Sequence, residues 1–442
     1  MKNRYFLLVL LTLSFLAHGC ATKDSSSAVE QRSVEKGAMN FVVMGDNRPA
    51  DVYRPEQPYI YHKIVSTAVE LNPEIILNTG DIVLGYDAVN SEKATQEFDE
   101  FEHATLPIRQ RNIPLYIAMG NHSGYTDFAR AEFTRRYKDQ ETENLYYSVD
   151  IKNCHFVILS SELVGATSQI TGQQLEWLKK DLALAGDKHK FVVVHRPLYP
   201  KITHLQDSLN KYPQKRDQLA QLFEQHHVDM VFVGHIHTYN FSMVNGLAQI
   251  IAGGSGAPLA GTLPEGGFNH FFHIIVTDDD VDYRLLPMDN EVAMATRLLQ
   301  KEQIQAALSF AQLAMETVPD HPMPQLIAAT AYQLLNKQKE CTTAKNKLTQ
   351  IVGSKKEAAF RLGAFALSVT QLSLADEYLT KAYTLDNTSF KIIYFNAQLN
   401  QQQERYALAL KRYQQALALT TDKYTIADID KRIAEIKEFT NI

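Results

Sequence analysis

Five short apolar runs in the first two thirds of the chain each end in residues that bind metal ions, and no other feature restricts the fold as much. Phe41-Val42-Val43-Met44 runs into Gly45-Asp46, and Glu74-Ile75-Ile76-Leu77-Asn78 into Thr79-Gly80-Asp81. Leu115-Tyr116-Ile117-Ala118-Met119 runs into Gly120-Asn121-His122, Phe191-Val192-Val193-Val194 into His195, and Met230-Val231-Phe232-Val233 into Gly234-His235-Ile236-His237. Continuous apolar runs of this length suit strands covered on both faces. Helical patterns alternate with them, so a sheet with its carboxyl ends at one rim is expected, and ligands of α/β sheets bind beyond such ends. A lone histidine after a strand is ordinarily a loop residue. Asp, Asp, Asn-His, His and His-x-His closing five successive runs point instead to a metal site. His235 and His237, two residues apart, reach one site only from an extended or looped segment.

In order, spacing and residue type these blocks resemble the calcineurin-like metallophosphoesterase family, from about Asn40 to Leu286, and Gly253-Gly254-Ser255-Gly256-Ala257-Pro258-Leu259 is similar to the glycine-rich turn after the last block of many members. The resemblance implies an α+β fold, a four-layer αββα sandwich. It implies hydrolysis of a phosphate mono- or diester by water activated at a binuclear centre of two divalent or trivalent metal ions, Mn, Fe or Zn. Two cations about 3.5–4 Å apart generate a nucleophile and clamp an in-line transition state, and holding them that close takes a bridging anion. By the same resemblance Asp46, Asp81 and His237 serve the first metal, and Asp81, Asn121, His195 and His235 the second, with Asp81 as the bridge. His122 resembles the family histidine that protonates the leaving-group oxygen, a role worth about 10²–10⁴-fold. Asp81 and His122 are then the catalytic pair, and Arg48 and Asn121 the residues facing the substrate phosphate.

Two positions depart from the family pattern. Many members carry Asp-x-His in the first block, where this chain has Arg48. A guanidinium has no lone pair for a cation, so the first site is either completed by water or substrate, or weak or empty. Arg48 itself reads either as a fork for the substrate phosphate or as a salt-bridged surface arginine. Ser123 stands where an acidic residue often orients the histidine of the third block, and a serine does so less strongly. Both departures keep open an alternative function, a non-catalytic or weakly catalytic phospho-ligand-binding scaffold. Tyr53, Tyr59, Tyr61, Tyr125 and Tyr199 read as loop packing or as the lining of a pocket for a base or aromatic leaving group. His62, His103, His155, His189, His204, His270 and His273 sit in no motif.

Composition divides the chain unequally. Beyond Asn290 stand only two glycines, Gly353 and Gly363, and one histidine, His321, with a net charge of +3 against −9 for the remainder. The total of −6 excludes a general nucleic-acid-binding surface, whereas phosphate esters remain accessible to a site whose metal supplies the positive charge. In the last third a small-large-small pattern recurs at Ala307/Ala311/Ala314, Ala344/Leu348/Ile351, Ala375/Leu379/Ala382 and Ala409/Tyr413/Ala416, with first positions 37, 31 and 34 residues apart. It resembles tetratricopeptide repeats, with partner helices expected at residues 325–335, 357–370 and 390–401 and a closing helix from Asp422 to about Phe439. An all-α helical-repeat domain over 289–442 follows, either a docking surface for a protein partner or a bundle that stabilises the enzyme.

At the other end Lys2 and Arg4 precede an apolar stretch over residues 5–17, too short for a comfortable membrane span, and then Gly19-Cys20. This segment resembles a bacterial lipoprotein leader. It implies a signal peptide over 1–20 with lipidation at Cys20, a linker over 21–38 ahead of the phosphoesterase domain at 39–288, and export to the cell envelope. Ala21 favours the outer membrane, facing the periplasm or the exterior, with the lipid as membrane anchor. The other cysteines, Cys154 and Cys341, read as small core residues outside any disulfide.

Overall fold

The structure, a computed structural model, describes residues 38–86, 90–139 and 142–440. The expected leader, Cys20 and all of the linker before Ala38 lie outside the described residues. Two compact units part between Asp289 and Asn290. No helix among the described residues is long and apolar enough to cross a membrane.

The first unit holds two sheets. One consists of β1 (Met39–Met44), β2 (Ile75–Asn78), β3 (Leu115–Ile117), β10 (His270–Val276) and β11 (Val281–Pro287), ordered β11-β10-β1-β2-β3. The other consists of β4 (Tyr147–Ile151), β5 (Cys154–Ile158), β6 (His189–Val193), β7 (Met230–Val233), β8 (Tyr239–Val244) and β9 (Leu247–Ala252), ordered β4-β5-β6-β7-β9-β8. Strands β1, β2 and β3 run parallel, as do β5, β6, β7 and β9. The pleat sends Phe41 and Val43 into the space between the sheets, and the Phe41 ring meets Phe156, Phe191 and Phe232 of the opposite sheet at 5.1, 4.9 and 6.0 Å. Val42 and Met44, on the reverse face, pack with α1 (Tyr59–Glu70), α2 (Ser91–Ala104), α3 (Leu106–Gln110) and α4 (Asp127–Tyr137). Val192, Val231 and Val233 on the outer face of the second sheet pack with α5 (Gly172–Leu184) and α6 (Pro213–Gln225). Both faces of the central strands are thus buried, which is why they read as unbroken apolar runs.

The layers are the αββα sandwich, with one change to the expected rim. The five ligand-bearing runs do not share a sheet: three belong to the first and two, β6 and β7, to the second. The rim is therefore a joint one, formed where the carboxyl ends of two facing sheets meet.

The second unit is a tetratricopeptide-like helical repeat. Helices α7 (Glu291–Gln300), α8 (Ile304–Thr317), α9 (Pro322–Leu334), α10 (Gln338–Val352), α11 (Lys355–Ser368), α12 (Leu372–Leu385), α13 (Phe390–Gln402) and α14 (Tyr406–Leu417) pair in sequence as four hairpins, and α15 (Lys423–Thr440) packs on α14. Each hairpin turns on a non-glycine residue in the left-handed region, Glu302, Asn336, Thr370 and Glu404, and these lie 34 residues apart throughout. The next residue donates its N–H back across the turn each time: Gln303 to Leu298, Lys337 to Tyr332, Gln371 to Ala366 and Arg405 to Asn400, at 2.8–2.9 Å. This is the Schellman closure of a helix end. It corrects the repeat phase read from alanines alone. In the 34-residue frame the partner of Ala307, Ala375 and Ala409 is Cys341, fully buried like them, and not Ala344. A thiol is small enough for the close helix approach there. Cys341 and Cys154 are both buried free thiols.

Candidate metal centre

Two strand-end turns set the centre. Asp46 follows β1 and Asp81 follows β2, each in the left-handed region (φ 53° and 52°), and His235 after β7 adopts it too (φ 69°). Such backbone is costly outside glycine and persists where surrounding bonds enforce it. Here the Asp46 N–H donates to the Gly80 carbonyl at 2.9 Å and the Arg48 N–H to the Asp81 carbonyl at 3.0 Å, locking the first two turns together. Beneath them, buried amides continue the lock: Asn78 donates to Asn47 at 3.0 Å, Asn47 to Gln57 at 2.7 Å, and Gln57 to the Ile82 carbonyl at 2.8 Å. The glycines of the motifs are required by proximity. A Cβ on Gly120 would lie 2.2 Å from Asp81 Oδ1, and one on Gly234 2.3 Å from Asp46 Oδ2.

All six predicted metal ligands come together. Asn121 Oδ1 lies 2.9 Å from His195 Nε2 and 2.7 Å from His235 Nδ1, and Asp81 Oδ1 lies 3.5 Å from His195 Nε2. Donors about 2.0–2.2 Å from one ion stand roughly 3 Å apart as neighbours in its shell, and Asn121 lies at that spacing from His195 and from His235, while His235 also groups with His204 and Asp207 on its far side. On the other side His237 Nε2 lies 3.6 Å from Asp46 Oδ1, and ligand atoms of Asp46, Asp81 and His195 fall within 4.8 Å of one another. The donor set fits a metal pair sharing Asp81, with fewer protein donors on the Asp46 side.

Each imidazole is held with one nitrogen engaged and the other aimed inward. His195 Nδ1 is 2.9 Å from the Thr79 carbonyl and His237 Nδ1 2.7 Å from the Pro258 carbonyl, leaving Nε2 of each for a cation. His235 uses the opposite nitrogen, its Nε2 lying 3.4 Å from Asp207 Oδ2. Second partners of this kind fix the tautomer of a metal-binding histidine. Behind Asp207 stands the buried Arg196, which pairs with Glu162 through two N–H groups and donates to the Asp207 carbonyl, while the His204 ring lies 4.1 Å from that of His235. His204 and Asp207 lie in the loop 200–213, which the sequence offers as a specificity loop without marking either residue, and nothing in the sequence marks Glu162 or Arg196. Burial pushes His235 down to about 3 and His237 to about 4, so both rings are neutral and able to coordinate at neutral pH.

The carboxylates are in opposition. Burial, and then the charge of Asp81, raise the Asp46 carboxyl well above its usual range. For Asp81 burial acts in the same direction, but His195, His122 and Arg48 together outweigh it and hold that carboxyl low. A cation between the two would relieve both the burial and the repulsion.

The expected catalytic histidine lies at the edge of this cluster. The His122 N–H donates to Asp81 Oδ1 at 2.9 Å, and its Nε2 lies 4.0 Å from Asp81 Oδ2. Burial lowers the pKa of the ring, with Asp81 opposing. Ser123 does not orient it: its hydroxyl is buried with no hydrogen-bond partner among the described residues. The Leu84 carbonyl does so instead, 2.7 Å from His122 Nδ1. Arg48 places Nη1 3.1 Å from the Pro49 carbonyl, and its buried Nε has no partner among the described residues. Among the tyrosines, Tyr59 and Tyr61 are core residues, Tyr199 lies under the Arg216 guanidinium, and Tyr125 is exposed.

Residues 39–239 match the calcineurin-like phosphoesterase family, and this part of the chain is a calcineurin-like phosphoesterase domain. Purple acid phosphatase 23 of Arabidopsis thaliana is 28% identical over 165 residues, covering 35% of this chain and 34% of the relative. The protein of the same plant named "Probable inactive purple acid phosphatase 9" is 33% identical over 204 residues, covering 38% of this chain and 29% of the relative. This chain thus spans about a third of the length of these two relatives. Among solved structures, one titled as YrrB, a TPR protein with an unusual peptide-binding site, aligns at 16% identity and TM-score 0.21 over 34% of this chain and 76% of its own.

Proposed function

We propose that this protein hydrolyses phosphate mono- or diesters at a binuclear metal centre on the joint rim. The observation that carries the reading is the grouping of Asp46, Asp81 and His195 ligand atoms within 4.8 Å of one another, with Asn121 bridging His195 and His235 at 2.9 and 2.7 Å. When bound, the cations supply an activated water and neutralise charge that builds on the phosphoryl oxygens. Asp46, Asp81 and His237 would hold the first ion, and Asp81, Asn121, His195 and His235 the second. His122 would pass a proton from Nε2 to the leaving oxygen, with Leu84 holding its far side. Arg48, whose buried Nε has no partner among the described residues, would take a phosphoryl oxygen beside Asn121.

The purified protein is expected to bind about two equivalents of Mn, Fe or Zn and to hydrolyse members of a phosphate-ester panel, and Asp81→Ala to lose both properties. Absence of bound metal, together with activity unaffected by Asp81→Ala, overturns the proposal. A second reading, a phospho-ligand-binding scaffold with little turnover, is favoured by Arg48 at the position of a first-site ligand and by the Ser123 hydroxyl, which has no partner among the described residues. In that case His122→Ala preserves the biological role and removal of the residues after Asn290 abolishes it.

The leader-like segment and the repeats extend the proposal to an exported enzyme, lipid-anchored through Cys20 in the outer membrane, whose helical repeats dock a protein partner. Metabolic labelling with a fatty acid tests the anchor: the label must be present in the wild type and absent in Cys20→Ser.

A further inference from the structure

The rim beside His122 carries two tyrosines that metal binding does not use. Tyr86 sets its ring edge-on to the His122 ring at 4.7 Å and to the Tyr125 ring at 4.2 Å, and the two tyrosines are 44% and 42% exposed. The two rings adjoin each other and His122, which gives the rim a small aromatic patch beside that imidazole.

The same bonds that aim His122 hold these rings. Leu84, two residues before Tyr86, accepts from His122 Nδ1. Gly85 between them has φ +73°, a Cβ there would lie 2.0 Å from the His122 carbonyl oxygen, and its N–H donates to the buried Glu97 carboxylate at 2.8 Å. The Tyr125 N–H in turn donates to the His122 carbonyl at 3.2 Å. Rings and imidazole therefore form one preorganised unit in which a partner need order little.

Accepting the hydrolytic reading above, the group protonated by His122 is the leaving oxygen, so whatever that oxygen carries must pass over Tyr86. We infer that Tyr86 and Tyr125 form a stacking platform for the leaving group, and that the preferred substrates are phosphate esters whose leaving oxygen is attached directly, or through one carbon, to a flat aromatic ring. The Tyr86 ring stands edge-on to His122 at 4.7 Å, so a ring carried close to the leaving oxygen reaches it more readily than one on a long spacer. A nucleoside monophosphate, whose base stands a ribose away, fits less well than an aryl phosphate.

The test compares kcat/KM of the full-length, metal-loaded protein for phenyl phosphate, glycerol 2-phosphate and adenosine 5′-monophosphate. In the double variant Tyr86→Ala/Tyr125→Ala the preference for phenyl phosphate over glycerol 2-phosphate should fall about tenfold, while Tyr86→Phe/Tyr125→Phe should retain it. Equal losses on both esters, or an unchanged ratio, overturn the platform, as does a loss confined to the nucleotide. Binding of phenylphosphonate against methylphosphonate, followed by calorimetry, separates the two ideas. If no ester is hydrolysed but the wild type prefers the phenyl compound and the alanine variant does not, the hydrolytic reading fails and the platform stands. If the wild type binds both compounds equally, the platform fails whatever the turnover.

Discussion

Each histidine of the centre owes its usable nitrogen to an oxygen on the other side of its ring. For His195, His237 and His122 that oxygen is a backbone carbonyl, from Thr79, Pro258 and Leu84, and for His235 it is the Asp207 carboxylate. Carbonyls carry no residue-type signal, so the sequence marks the ligands and leaves their orientation unstated. A histidine outside the centre shows the same economy with a different result. His155, which sits in no motif, is buried between Asp150 Oδ1 at 2.8 Å and Asp181 Oδ2 at 2.9 Å. Burial alone would lower its pKa, but the two carboxylates prevail and raise it above the usual value. A raised histidine pKa stabilises the fold most below the unfolded value of about 6.5, and the contribution is lost as pH rises through the folded value. Denaturant melts should therefore show stability declining above about pH 6.5, and His155→Gln should reduce that dependence, the remainder coming from other raised groups such as His189. An unchanged pH profile in the variant assigns the decline elsewhere.

At the scale of elements, strand identity and strand ends were legible because a strand buried on both faces must be apolar throughout, and the residue after it stands at the rim. Helix pairs were legible because small residues must line the face on which helices approach closely. The repeat phase was misread in one unit because alanine marks close approach only statistically, and Cys341 fills the same space. What sets the phase is the backbone: four left-handed turn residues spaced by 34. Thr370 is the least suited of these, being β-branched at φ 59° and exposed. Left-handed backbone costs an L-residue about 1–2 kcal/mol, and glycine loses about 0.5–1 kcal/mol more than alanine to chain entropy. Thr370→Gly should therefore stabilise the repeat unit by about 0.5–1 kcal/mol, read as a rise of roughly 2 °C in its melting midpoint. A fall would mean that the turn is held by contacts of the threonine side chain. Asn336→Gly should gain less, since asparagine tolerates that conformation.

At the scale of the molecule, each unit has its own core, and only the first holds the candidate metal ligands. A ligand that binds one folded unit stabilises that unit alone, by about 2.7 kcal/mol at a hundredfold excess over its dissociation constant. Scanning calorimetry should resolve two transitions, of which manganese or zinc raises one, and Asp81→Ala should abolish that rise without moving the other. A single transition shifted as a whole would show that the units unfold together. By itself the sequence determined the two-part organisation, the apolar strands, the helical pairs and the identity of the residues at the strand ends, because these follow from local periodicity and from what each side chain can do. Tertiary structure decided that the strands divide between two sheets. It also brought Asp46 and His235, 189 positions apart in the chain, into hydrogen-bond contact, and set Asp207, Arg196, Leu84 and Tyr86 around the centre. Those outcomes depend on how sheet faces pack and which loop crosses which strand end, and no short-range pattern encodes them.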